Sequence, residues 1–415
     1  MRRRALWLIV GIAGAALATL ACGSGLLMLA LVLVNGDTLT AAETLPAAGM
    51  MALGLGLGAP LALHGWAGWR AQPSHPFNPS RVWWLWLVLM LLIGLGAAVS
   101  ALSLAPALLL PPIHVLVMAL PPLIMLGLTG QALRGRGGSW REVIAGMAGG
   151  GSLGLGASLI GEGVVVFTLV VIAIVVALMA PGGMEQLARL ARDLQDPLWL
   201  TDLTNLMRLL LSPAVAISLL GVLSVPIPLI EEACKTLAVG VVACQVRPCP
   251  ARAFLWGVAS GAGFALTENL FNGALGGVEG WTLGAVARFG ATVMHCFTGG
   301  LVGWGWGQLW TARRPLRFLG AYVAAVTVHG VWNAAAVGIV LLSASLLTHE
   351  VSGLGLALKS LGLLTFVGTL GLLTVMFIIA LLLAGRMLAD QAERLQDGTA
   401  TSKSEEVAVP MLSEA

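Results

Sequence analysis

The chain has 415 residues, of which 58% are hydrophobic and only 10% are charged, and its mean hydropathy is +0.94. Soluble globular domains carry about 25% charged residues, so this composition excludes a water-soluble enzyme and a disordered scaffold. The net charge of +3, with no basic stripe interleaved with aromatic residues, also excludes a nucleic-acid-binding protein. Continuous apolar runs exclude a β-barrel. The sequence therefore predicts an all-α polytopic membrane protein.

Ten apolar segments are long enough to cross a bilayer, for which about 20 residues suffice. They cover residues 6–34, 46–66, 82–104, 107–130, 143–180, 209–246, 253–275, 282–310, 318–346 and 358–385. The first follows three arginines and is too long for a cleaved signal peptide, so we expect a retained signal-anchor helix. Segments 143–180 and 209–246 each have 38 residues. Each predicts either a kinked span or a span with a re-entrant or interfacial piece.

The positive charges are distributed unevenly between alternate loops. If the N-terminus is cytoplasmic, the arginines of the loops near residues 70–81, 134–141, 247–252, 313–317 and 386 all lie in the cytosol. The loops on the other side hold few basic residues, and acidic residues accompany them. By the positive-inside rule this asymmetry predicts a multi-pass protein of the cell membrane with both termini in the cytosol.

Four regions follow from this division of the chain. Residues 1–205 predict an N-terminal membrane region of about five spans with an amphipathic surface segment at 184–208. Residues 206–346 predict a membrane core with a polar site, and residues 347–386 predict a C-terminal span. Residues 387–415 form a polar tail that we expect to be cytoplasmic and disordered. Five cysteines give no disulfide framework.

Polar residues inside membrane spans are costly and mark functional sites. Eight of them fall in four consecutive predicted spans: Glu231, Glu232, Lys235, Glu268, Arg288, His295, His329 and Asn333. Counted from the cytoplasmic arginines, most lie 15–18 residues deep, which corresponds to roughly 20–27 Å along a helix. This common depth predicts one polar site built by four helices.

The local sequence around the two adjacent glutamates predicts a broken helix. Pro226 and Pro228 should end one helical piece and begin another, which places Glu231 and Glu232 in the first turn of the second piece. Lys235 follows at helical spacing and can neutralise either glutamate.

Three further residues receive structural interpretations. Arg288 is expected at the outer interface or paired with an acid, and His114 is expected to be structural. Glu162, between two glycines, is interpreted as a loop or kink residue rather than a catalytic one.

Two carboxylates and two imidazoles can hold a zinc-like divalent metal and leave one position for water. Without a metal, a glutamate–histidine pair could activate water while Asn333 donates a hydrogen bond to an oxyanion. Either arrangement would hydrolyse an amide bond inside the bilayer. A proton- or ion-coupled transporter and a non-catalytic protein that binds a membrane partner are the alternatives, because transporters also contain buried Glu, His and Lys beside broken helices. No internal repeat supports transport.

Four short motifs occur in order, each in its own predicted span. They are residues 231–235 (EEACK), 263–269 (GFALTEN), 294–298 (MHCFT) and 329–333 (HGVWN). In this order they resemble the PrsW family of intramembrane proteases, within a wider group that includes CAAX prenyl endopeptidases and bacteriocin-processing enzymes. The resemblance covers about residues 205–345. It implies an endopeptidase that cuts a membrane-bound protein, as the founding member does in the regulated cleavage of an anti-sigma factor.

The resemblance also implies roles by position. Glu231 and Glu232 match the catalytic glutamate pair, Glu268 and His295 match the second and third motifs, and the H-x-x-x-N element begins at His329. We therefore predict a metal-dependent site in which the catalytic residues are Glu231, Glu232 and Asn333. The predicted ligands of a divalent metal, with zinc as the expected ion, are Glu268, His295 and His329. The predicted supporting residues are Lys235, Asn269 and Arg288. The expected partners are a membrane-protein substrate and the lipid bilayer.

Overall fold

The computed structural model describes residues 2–196, 198–199, 202–348 and 353–407. Within these ranges the chain is helical, and no β-strand occurs in them. The prediction of an all-α membrane protein is therefore confirmed. The described helices also explain how the polar residues of the C-terminal half come together.

Five helices form the first part of the N-terminal half: α1 (Arg2–Val34), α2 (Ala41–Leu53), α3 (Ala59–Trp69), α4 (Trp83–Ala101) and α5 (Pro106–Ala132). A π-helical turn at Gly54–Gly58 joins α2 to α3 without a loop. Thr40 and Glu43 form a capping box that starts α2. Small residues let α1 lie directly against α3, since a methyl group added at Gly65 would lie 2.4 Å from the backbone nitrogen of Gly11.

The two long apolar segments are interrupted spans. In the first, α6 (Trp140–Ala148) continues through a π-helical turn at Gly149–Gly154 into α7 (Leu155–Met179). In the second, three helices follow one another: α10 (Pro213–Ser224), α11 (Pro226–Lys235) and α12 (Leu237–Val246). Single residues join them, with no connecting loop. Both segments are therefore kinked, and no loop interrupts either of them at the breaks.

Two short helices, α8 (Gly183–Asp193) and α9 (Leu203–Leu210), connect these long segments. Both fall in or beside the segment predicted to be amphipathic. On each helix the charged residues lie on one face and the leucines on another. Residues 197, 200 and 201 of that segment lie outside the described residues.

Four long helices complete the fold: α13 (Pro250–Asn272), α14 (Gly277–Trp310), α15 (Pro315–Thr348) and α16 (Leu354–Val407). Helix α13 is the centre of the bundle, and most of its residues from Ala251 to Leu270 are buried. Its backbone touches that of α14, because a methyl group added at Gly257 would lie 2.1 Å from the Gly299 carbonyl oxygen.

Eight helical stretches among the described residues are long and apolar enough to cross a membrane. They are Arg4–Val34, Ala41–Trp69, Trp83–Ala101, Pro106–Ala132, Trp140–Met179, Pro213–Val246, Pro315–Leu347 and Leu354–Arg394. The other two predicted spans correspond to α13 and α14. These helices have less apolar sequences because they face the protein interior and carry much of the polar site.

The predicted disordered tail differs from the structure in its first part. Helix α16 continues through Val407, whereas disorder was expected from residue 387. At the end of α5, Arg134 lies 3.1 Å from Asp390, and Arg136 lies 2.5 Å from Glu393. These ion pairs hold the beginning of the tail against the bundle. Residues 408–415 lie outside the described residues.

The N-terminal half packs directly on the helix that carries the second motif. His114, which is fully buried in α5, bonds through Nε2 to the Leu270 carbonyl oxygen at 3.0 Å. Its Nδ1 accepts a hydrogen bond from Trp281 Nε1 at 3.2 Å. Both ring nitrogens are thus used within the protein, which supports the structural interpretation of His114.

Candidate active site

The break between α10 and α11 is held by α15. Asn333 Nδ2 donates a hydrogen bond of 2.8 Å to the Leu223 carbonyl oxygen, near the end of α10. Gly330 allows the close approach, because a methyl group added there would lie 2.3 Å from the Ser224 carbonyl oxygen. The H-x-x-x-N element therefore fixes the kink as well as presenting a histidine.

Glu231 and Glu232 lie in the second turn of α11, so their predicted position in the first turn is wrong. The helix begins at Pro226 itself, whose fixed φ angle and missing N–H suit the first helical position. Both glutamates are therefore five residues or more beyond the helix start. The positive end of the helix dipole acts mainly within the first turn, so hydrogen bonds and ion pairs must stabilise these carboxylates instead.

Glu232 is fully buried and is the centre of a polar network. Its Oε1 atom lies 2.6 Å from Lys235 Nζ and accepts a hydrogen bond of 3.0 Å from Thr298 Oγ1. The same oxygen lies 2.8 Å from His329 Nδ1. Lys235, also fully buried, is thus paired with Glu232 rather than Glu231. A buried charge needs such a partner, and here the partner is one helical turn away.

Glu268 forms a second network across α13 and α14. Its Oε2 atom lies 2.8 Å from Arg288 and 2.8 Å from His295 Nε2. Arg288 Nε also donates to Asn269 Oδ1 at 2.7 Å, and Asn269 Nδ2 donates to Thr292 Oγ1 at 2.7 Å. Arg288 therefore pairs with an acid, as one of its two predicted roles requires, and Asn269 supports it.

Three buried side chains meet between the two networks. One ligand atom from each of Glu231, His295 and His329 lies within 4.8 Å of the other two. Glu231 Oε2 is 3.5 Å from His329 Nε2, and the two imidazole centroids are 5.1 Å apart. Glu231 Oε2 and His295 Nδ1 are buried without a hydrogen-bond partner. Orphaned polar atoms of this kind are rare in proteins and are typical of a site that binds an ion or water.

This donor set fits a divalent metal. One carboxylate and two imidazoles are a frequent ligand set of catalytic zinc, with one position left open. Each imidazole also has a carboxylate on its other side, since His329 Nδ1 contacts Glu232 and His295 Nε2 contacts Glu268. Such carboxylate–histidine pairs orient metal ligands in many zinc sites.

The candidate metal group contains Glu231 where the sequence predicted Glu268. Depth along the membrane grouped Glu268 with the two histidines, but Glu231 is the carboxylate that meets both of them. Depth alone could not decide this, because it says nothing about the direction of a side chain around its helix axis.

A cavity of about 490 Å³ opens beside Glu231. Its polar lining consists of Glu162, Glu231, Glu268, Asn272 and Asn333. The remaining lining is apolar: Leu155, Leu159, Leu223, Ile227, Phe271, Ala336 and Val337. An apolar cavity with a few convergent polar groups is the usual form of a substrate-binding site. Glu232, His295 and His329 are not among its lining residues.

Two polar residues of this wall, Glu162 and Asn272, were not predicted as part of the site. The prediction of a loop or kink residue is wrong, because Glu162 lies inside α7, on the same face as Leu155 and Leu159. The signal was available in the sequence, since a glutamate seven residues after a leucine shares its helical face.

Comparison with known proteins agrees with the motifs. Residues 155–358 match the PrsW family, which is described as a family of intramembrane metalloproteases. No curated protein and no solved structure matched the chain. The match begins in α7, earlier than the motifs suggested, and it includes all four motifs and Glu162. The match over residues 155–358 confirms the resemblance carried by the four motifs.

Proposed function

We propose that this protein is a metal-dependent endopeptidase that hydrolyses a peptide bond of a membrane-protein substrate. The observation that carries the proposal is the buried group of Glu231, His295 and His329, placed beside a cavity between membrane helices. The family of residues 155–358 supports the same reaction class.

We assign Glu231, His295 and His329 as the residues that hold the metal, with zinc as the ion that best suits the donor set. When bound, such an ion supplies Lewis acidity toward a carbonyl oxygen and toward water. Glu232 holds His329 through Nδ1, so that Nε2 faces Glu231. Lys235 keeps Glu232 neutralised inside the protein. Glu232 thus acts as a positioning residue, because it has no access to the cavity.

Glu268 is the best candidate for the general base. Its carboxylate lines the cavity, and Arg288 and His295 hold its Oε2 atom. From there it can take a proton from water and return it to the nitrogen of the leaving amine. Asn333 donates one amide hydrogen to Leu223, which leaves the other for a substrate oxygen.

The substrate is a protein in the same membrane. The cavity is lined by helices with apolar outer surfaces, and its own lining is mainly apolar. An extended segment entering from the lipid would therefore find a compatible environment. The charge asymmetry of the loops further supports a cell-membrane protein with both termini in the cytosol.

A comparison of Glu231→Gln with Glu268→Gln tests the assignment. Purified protein would be analysed for bound metal by mass spectrometry and for cleavage of a fluorogenic transmembrane peptide in liposomes. We expect about one zinc ion per chain in the parent protein, none in Glu231→Gln, and retained zinc with lost cleavage in Glu268→Gln. Zinc lost from Glu268→Gln but kept by Glu231→Gln would restore Glu268 as the ligand. No metal in any folded sample that still cuts the peptide would favour the metal-free glutamate–histidine mechanism.

A further inference from the structure

Among the described residues, Glu162 is the acid of this site that forms no ion pair. Glu268 contacts Arg288 and His295, Glu232 contacts Lys235, and Glu231 belongs to the candidate metal group. Glu162 makes no hydrogen bond or ion pair with any residue in the described part of the chain. It is half-buried and lines the same cavity as Glu231 and Glu268.

Close helix packing fixes the position of Glu162. A methyl group added at the preceding residue, Gly161, would lie 2.9 Å from the side chain of Ile230, which precedes Glu231. Gly154 is the last residue of the π-helical turn that precedes α7. A methyl group added there would lie 3.1 Å from the backbone of Lys235. Helix α7 is therefore seated directly on α11, and Glu162 is a fixed part of the cavity wall rather than a loose surface charge.

The cavity has the features of a ligand-binding site. Besides Glu162, its wall contains the buried residue Glu231, whose Oε2 atom has no hydrogen-bond partner. A metal at the candidate site would satisfy Glu231, and Glu268 already forms ion pairs with Arg288 and His295. Neither accounts for Glu162, which is on a different helix and lines the cavity together with Leu155 and Leu159.

We propose that Glu162 binds a cationic side chain, lysine or arginine, of the substrate segment next to the bond that is cut. The proposal rests on the proposed endopeptidase function. No lysine or arginine lines the cavity, so every charged side chain in its lining is a carboxylate. A lysine or arginine in a transmembrane segment is costly in lipid. A carboxylate at the cavity wall offsets that cost and selects segments that carry such a residue.

The test uses transmembrane peptides of one apolar sequence that differ at a single central position, occupied by lysine, leucine or glutamate. Each peptide carries a fluorogenic pair and a photo-crosslinker. Full-length protein in liposomes would be compared as the parent chain, Glu162→Gln, Glu162→Lys and the control Glu279→Gln. Glu279 is an exposed acid at the start of α14, outside the cavity. The readouts are the lysine-to-leucine ratio of kcat/KM and the corresponding ratio of crosslinking yields.

We expect the parent protein and Glu279→Gln to prefer the lysine peptide by about tenfold, the size of a charge-assisted hydrogen bond. In Glu162→Gln this ratio should fall to near one, and Glu162→Lys should prefer the glutamate peptide. A similar lysine preference in Glu162→Gln, or a loss of cleavage that is equal for all peptides, would overturn the proposal.

The crosslinking ratio separates this inference from the proposed function. If the parent protein cuts none of the peptides, the endopeptidase function fails. The crosslinking preference for lysine, and its loss in Glu162→Gln, would still decide the role of Glu162. If cleavage occurs without any preference among the three peptides, the endopeptidase function stands and the role of Glu162 is rejected.

Discussion

His329 Nδ1 lies 2.8 Å from Glu232 Oε1, and both side chains are buried. This contact turns the opposite ring nitrogen, Nε2, toward Glu231 at 3.5 Å. The two adjacent glutamates of α11 thus act on one histidine from two sides. Glu232 orients the ring, whereas Glu231 shares with it the group that we assign to the metal.

Removing the charge of Glu232 should weaken the metal site without removing a ligand. In Glu232→Gln, His329 loses its carboxylate partner, and we expect zinc affinity to fall about 10–100-fold. Competition with a zinc-binding dye would measure the affinity. Unchanged affinity would show that Glu232 does not orient His329.

The same substitution leaves Lys235 without its counter-charge in the protein interior. We expect Glu232→Gln to lower the free energy of unfolding by about 3–5 kcal/mol. The double variant Glu232→Gln with Lys235→Met should recover most of that stability but not the zinc affinity. Thermal unfolding in detergent would separate the two effects, and an equally unstable double variant would contradict the pairing.

Arg288 should matter for catalysis more than for metal binding. Its guanidinium holds Glu268 at 2.8 Å and Asn269 at 2.7 Å. In Arg288→Leu we expect cleavage to fall more than about tenfold, the scale of one lost charged hydrogen bond, while bound zinc remains. Loss of zinc together with activity would instead indicate that Arg288 supports the ligand His295.

Close contact between α13 and α14 should be highly sensitive to side-chain size. A methyl group at Gly257 would lie 2.1 Å from the Gly299 carbonyl oxygen, whereas one at Gly156 meets no atom within 4 Å. We expect Gly257→Ala to destabilise the protein by about 1–3 kcal/mol through overpacking and Gly156→Ala to have little effect. Equal melting temperatures of the two variants would contradict the observed backbone contact.

The first part of the C-terminal tail should loosen when its ion pairs are removed. Exposed pairs contribute about 0–1 kcal/mol each, so Glu393→Ala should increase hydrogen exchange locally without altering the melting temperature much. Exchange measured by mass spectrometry would show the change in the turns around residues 387–394. Unchanged exchange would mean that packing of Gly385 against Ala132 is sufficient to hold this segment.

The sequence by itself determined the membrane class, the helical fold and most of the polar residues of the candidate site. Hydropathy is a local property, so apolar runs reveal spans, and distance from the loop arginines reveals depth. For the same reason the four motifs, each contained in one helix, were sufficient to indicate the family.

Only the tertiary structure decided how those residues are grouped. Glu231 rather than Glu268 meets the two histidines, Glu232 is fully buried and absent from the cavity lining, and Glu162 joins that lining from α7. Each result depends on how a helix is rotated about its axis and how closely it approaches its neighbour. Contacts between residues far apart in the chain, such as Gly161 with Ile230, set that rotation, and no spacing within one helix encodes it.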